Sequence, residues 1–77
     1  MTANELGMIL SDMYFNAKTD KTAMIHLFGI KYADVIRENR INPKEILKIA
    51  KMHESYFAEI NKGVKLSKYV EVKDTYK

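Results

Sequence analysis

Between positions 53 and 65 the sequence places hydrogen-bonding and charged side chains at helical spacing: His53, Glu54, Ser55, Glu59, Asn61, Lys62 and Lys65. Phe57 and Ile60, three residues apart in the same stretch, are the side chains expected to turn inward. His53, Glu54, Ser55, Ala58, Glu59, Asn61 and Lys62 are then left on the outer side, with Tyr56 at its margin. That side carries donors, acceptors and cations, and it suits recognition more than bond making. Such residues can hydrogen-bond base edges in a groove wide enough for one helix. The free N–H groups at the N-terminus of the same helix can meet a phosphate. Two readings stay open for His53, a contact to phosphate or base and a plain helix start. Lys62, Lys65, Lys68 and Lys73, with Tyr69 among them, read equally as a backbone-binding strip and as a solvated lysine-rich tail.

The rest of the composition offers no catalytic alternative. There is no cysteine, which removes thiolate nucleophiles, disulfides and cysteine-rich zinc sites together. The two histidines, His26 and His53, have no paired spacing with carboxylates, so no metal or other cofactor is expected. No Gly-rich phosphate loop is present, and 77 residues are too few to enclose a small-molecule pocket with its supporting shell. Glu54 and Glu59 form no evident acid/base pair. The expectation is a protein that is not an enzyme.

The elements that would hold the polar face are legible as helices. Leu6, Ile9, Leu10, Met13 and Ala17 share one side of a first helix, started by Thr2 and Glu5 as a capping box. Tyr14 and Phe15 are adjacent, so they cannot both enter one core. A second helix is expected from about Lys21 to Glu38, capped by Thr19 or Asp20. It is apolar around most of its girth, as a central core helix or a dimer seam would be. Gly29 in its middle costs about 1 kcal/mol relative to Ala, which is expected to serve the close approach of a neighbouring helix. Asn42-Pro43-Lys44-Glu45 opens a third helix with a capping residue and a proline preset for the first helical position. A fourth is expected over about Glu54 to Lys62, ended by Gly63 in a left-handed conformation. Beyond it Val70-Glu71-Val72-Lys73 has the alternation of a short strand without a partner in the chain, and is read as an extended tail.

Two short helices, with Ile46, Ile49, Ala50, Met52, Phe57 and Ile60 sharing one core, make a helix-turn-helix over about 43–63. Residues 46–63 resemble the Cro/repressor type of this motif, most closely in Ser55-Tyr56-Phe57-Ala58-Glu59-Ile60-Asn61-Lys62-Gly63. The wider chain, including Met24-Ile25-His26-Leu27-Phe28-Gly29-Ile30-Lys31-Tyr32-Ala33, resembles small bacterial helix-turn-helix-like domain proteins. The first resemblance implies that Glu54, Ser55 and Glu59 face base edges, while Asn61, Lys62 and Lys65 lie near phosphates. This chain has Leu47 where that family prefers alanine in the first helix, and Lys51 where it favours a glycine in the turn.

The chain therefore reads as one all-α domain over residues 1–77, a compact four-helix helix-turn-helix unit with a short extended C-terminal tail. Its formal charge of +3 is unevenly spread, since residues 37–77 hold ten of the thirteen bases and six of the ten acids. The positive excess falls in the half with the motif, as a nucleic-acid footprint requires. The function expected is sequence-specific binding of double-stranded DNA by a bacterial or phage transcriptional regulator. Dimerisation through the second helix or the C-terminal tail is expected to double the contact. The alternative is a protein-interaction module or antagonist with the same fold and no DNA. No run of apolar residues reaches membrane-spanning length, and Met1-Thr2-Ala3-Asn4-Glu5 lacks a basic leader start, so a cytoplasmic location without membrane contact is expected.

Overall fold

The computed structural model describes residues 1–73. Helix α1 (Ala3–Phe15) begins at the capping box: Thr2 Oγ1 accepts from the Glu5 N–H, and Glu5 returns the bond to the Thr2 N–H. Asp20 caps α2 (Lys21–Lys31) by accepting from the Ala23 N–H at 3.1 Å. Asn42 caps α4 (Pro43–Ala50) by accepting from the Lys44 N–H at 2.9 Å, with Pro43 leading the helix. No strand occurs among the described residues, and 70–73 has no regular secondary structure. Residues 74–77, the end of the expected tail, lie outside the described part.

The expected second helix divides into two at Tyr32. Its backbone (φ −107°, ψ 15°) ends α2 and starts α3 (Ala33–Glu38) with no loop between them. A straight helix over 21–38 would run about 27 Å, almost the full 28 Å of the longest molecular dimension. Its last turn would then overshoot the core. The bend brings Ile36 back into that core, beside Leu6, Leu10, Ile25, Phe28, Ile46, Leu47, Met52 and Ile60. Among the described residues there are thus five α-helices where four were expected.

Two helix ends use a non-glycine residue in the left-handed region, Arg40 (φ 51°) and Lys51 (φ 59°). At the first, the Ile41 N–H reaches the Ile36 carbonyl and the Arg40 N–H the Arg37 carbonyl. At the second, Met52 reaches Leu47 and Lys51 reaches Lys48. This double bond pattern is the Schellman ending, and each pair of residues it joins, Ile36 with Ile41 and Leu47 with Met52, belongs to or packs against the core. Lys51 therefore holds a left-handed conformation without a glycine.

The last helix, α5 (Phe57–Leu66), follows a 3-10 turn at Glu54–Tyr56. Gly63 does not end it, contrary to the expectation from its type. It is helical and buried, and its φ is not positive. Its role is close packing. The Cα of Gly63 lies 3.0 Å from where a Cβ on Gly29 would stand, and the Cα of Gly29 2.9 Å from where one on Gly63 would. Either added carbon would also strike a carbonyl oxygen, of Ile60 or of His26 respectively. The backbones of α2 and α5 thus touch at these two glycines, as Gly29 led one to expect for its own helix.

In an exposed helix interior Gly→Ala stabilises by about 1 kcal/mol. Here the sign is reversed, because a rigid backbone cannot yield to the new methyl. Gly29→Ala and Gly63→Ala are each expected to lose about 2 kcal/mol or more through overpacking, read as a lower urea midpoint. Lys51→Gly is expected to gain about 1 kcal/mol by relieving the left-handed backbone. Lys48→Gly, one turn earlier inside α4, is expected to lose about 1 kcal/mol. Equal effects at positions 48 and 51 would refute this account of the turn.

Candidate nucleic-acid interface

The rotation of α5 about its axis follows from the glycine contact. Gly63 must face α2, and Ile60, wholly buried, lies on the same side with half-buried Tyr56, Val64 and Ser67. One hundred degrees per residue then places Ala58 and Lys65 opposite that side, flanked by Asn61 and Lys62. Ala58, Lys62 and Lys65 are exposed and Asn61 is half-buried. Phe57, expected to point inward, sits at the border with 38% of its surface exposed. The Lys44 ammonium lies 4.9 Å from the centre of its ring, a contact worth about 0.5–1 kcal/mol at an exposed site. Ile60, also expected to point inward, is wholly buried, as is Leu47 on α4.

The same rotation carries Glu59 toward α2. Its carboxylate accepts from His26 Nε2 on α2 and, at 3.2 Å, from Lys62 Nζ. Only 23% of its side chain is exposed. The His26 bond, followed by the Lys62 bond, holds this carboxyl below the usual carboxylate range. His26, expected as a hydrogen-bonded and semi-buried residue, is half-buried and has Glu59 as its partner. Glu59 therefore does not share the outer face with Glu54 and Ser55.

At the front of α5, His53 serves its own turn. Its Nδ1 accepts from the Ser55 N–H at 3.1 Å and lies 2.8 Å from Ser55 Oγ. Nδ1 is then the acceptor nitrogen, and the neutral ring carries its proton on Nε2. The helix-start reading of His53 is the one its geometry fits. Ser55 is engaged at both its hydroxyl and its amide, while Glu54 stands exposed beside it. The turn is anchored from behind by Tyr56, whose ring lies 5.9 Å from that of Tyr14 on α1. The two hydroxyls are 3.4 Å apart, and this contact raises the Tyr14 phenol above its ordinary range. Phe15, the other member of the adjacent pair, is 54% exposed.

The expected residues thus divide into three groups. Lys62, Lys65 and Asn61 line the outer side of α5, Glu54, Ser55 and His53 lie on the turn before it, and Glu59 faces the neighbouring helix. Ala58 was legible as exposed, but nothing in its type marked it as the midpoint of the face. Among the described residues no group of three or more His, Asp or Glu side chains could hold a metal ion. No helix among them is long and apolar enough to cross a membrane.

Because the folded-state pKa of Glu59 is lowered, its ionised form stabilises the native state above the carboxylate range. That contribution is lost as pH falls through the range. Glu59→Gln is therefore expected to be less stable than the parent protein near neutrality. The difference in thermal midpoint should close on acidification. A difference independent of pH would show that the carboxylate charge is not what holds α5 to α2.

Residues 2–73 match the family described as HTH-like domain. No curated protein and no solved structure matches the chain.

Proposed function

The chain belongs to the HTH-like domain family, and from that premise we propose that it is a small DNA-binding protein acting as a bacterial or phage transcriptional regulator. The observation that supports this most directly is the outer side of α5. It is left open by the described part of the chain, and it carries Lys62 and Lys65 beside a small Ala58 and an amide. A helix that is to enter a groove must be uncovered on one side and slim at its centre. Lys62 and Lys65 would meet phosphates. The Lys62–Glu59 pair, three residues apart with Lys62 mostly exposed, is weak enough to open for that purpose. His53 and Ser55 would present the start of α5, with Glu54 toward the groove.

A homodimer fits the same reading, since paired half-sites enlarge an otherwise small contact. Of the two surfaces considered from sequence, α2 is packed between α1 and α5. The C-terminal stretch instead exposes Leu66, Tyr69 and Val70, with Tyr69 82% accessible. The second reading, a protein-interaction module without DNA, is favoured by one observation. Phe57 and Glu54 are both exposed near the start of α5, and apolar and acidic groups give no general affinity for phosphate.

Salt separates the two. On a duplex, affinity is expected to fall linearly in log–log form with a slope of about −0.9 per phosphate contact. Lys62→Ala or Lys65→Ala should each flatten that slope by about 1, and Lys62→Glu should nearly abolish a gel shift on pooled random duplexes. Absence of any salt-dependent shift would overturn the DNA reading in favour of the protein-interaction one.

A further inference from the structure

Resting on the DNA reading above, we infer that α5 recognises a step of A·T base pairs through Asn61 and Ala58, not through Glu54, Ser55 and Glu59. Two of the three side chains that the resemblance places at base edges, Glu59 and Ser55, are already committed. Glu59 is turned toward α2 and bonded to His26 and Lys62. Ser55 Oγ lies against His53 Nδ1, and that same nitrogen takes the Ser55 amide. Releasing any of them would undo either the α2–α5 pairing or the cap of the 3-10 turn.

What remains at the centre of the outer side is Ala58, exposed and opposite the Gly63 contact, with Asn61 one turn onward. A methyl group there keeps the helix axis close to the groove floor and offers an apolar surface to the C5-methyl of thymine. A carboxamide has one acceptor and two donors, the set that pairs in bidentate fashion with N7 and N6 of adenine. Residues three apart on a helix have Cβ atoms about 5–6 Å from each other, against about 3.4 Å between stacked bases. The two side chains therefore fall on neighbouring base pairs. Glu54, the remaining acid, lies before the first turn of α5 and is displaced from that centre. Lys62 and Lys65 border it as cations for the flanking phosphates.

The test is selection from a random duplex pool, followed by affinity measurement on the enriched site, with folding of each variant checked by circular dichroism. The parent protein is expected to enrich a site with a fixed A·T step. Asn61→Ala should lose about 5- to 150-fold discrimination at one adenine, the usual worth of a bidentate contact. Lys62→Ala should instead weaken all sequences alike. Replacing the contacted thymine by deoxyuridine, which lacks only the methyl, should weaken the parent protein several-fold and leave Ala58→Gly indifferent. Retention of the parent site by Asn61→Ala, with the site changed by Ser55→Ala or Glu59→Gln, would overturn the assignment. Tight, salt-dependent binding without sequence preference would also overturn it, while leaving the DNA reading intact. No salt-dependent binding by the parent protein would remove both.

Discussion

Backbone contact between Gly29 and Gly63 is the constraint on which the rest of the molecule turns. It fixes how near α5 lies to α2 and, because Gly63 can make the contact from one side only, how α5 is rotated. The placement of the last helix's side chains follows from that rotation. Ile60 is driven into the core, Phe57 to its border, Glu59 toward His26, and Ala58 with Lys65 to the side facing away. A helix located by side-chain interdigitation alone could turn by a fraction of a residue at modest expense. One located by touching backbones has no such latitude, since packed interiors do not deform continuously.

The sequence was most readable where a local rule settles a local question. Thr2 with Glu5, and Asn42 with Pro43, each declare a helix start through a bond between neighbours and are found where their residue types place them. Of the two caps open for the second helix, Thr19 and Asp20, it is Asp20 that serves. The all-α class follows from the same periodicity. Gly29 was intelligible as a site of close approach because a glycine inside so apolar a helix has no other use. Its counterpart was not, since Gly63 stands where a helix-ending glycine would also stand, and both roles demand the absence of a side chain. Only the position of α2 distinguishes them.

The rotation of α5 was hidden for a related reason. Phe57 and Ile60 form an apolar pair at i and i+3, and Tyr56, Ile60 and Gly63 form another set displaced by one residue. Hydrophobic periodicity favours the first because phenylalanine outweighs tyrosine and glycine on any apolar scale. Contact across the core favours the second. The displacement is one residue, yet it decides whether a glutamate faces solvent or a histidine. For the same reason the break at Tyr32 left no mark: no glycine or proline announces it, and its cause is the length of the core along α2. Whole elements were visible from spacing, but the orientation of the one proposed to meet DNA was set by residues more than thirty positions away.

The charge of the face depends on this orientation as much as its shape does. With Glu59 outward, α5 and the turn before it would together offer two acids and two bases, and their attraction for a polyanion would be slight. With Glu59 held by His26 and Lys62, Glu54 lies exposed on the turn before α5 and Lys62 and Lys65 on its outer side, so the exposed charge changes sign along this segment. Lysines in the last turns also complement the negative end of the helix dipole. In the proposed mode this gradient has a geometric consequence. A ten-residue helix spans about 15 Å, more than the roughly 12 Å width of a major groove, so α5 cannot place both ends against the same wall. Its basic end belongs beside a phosphate strand, and its acidic start belongs away from one, over the bases. The small net charge of the chain is compatible with the proposed role, because Glu59 is turned toward α2 and the exposed acid left near the face, Glu54, lies before α5.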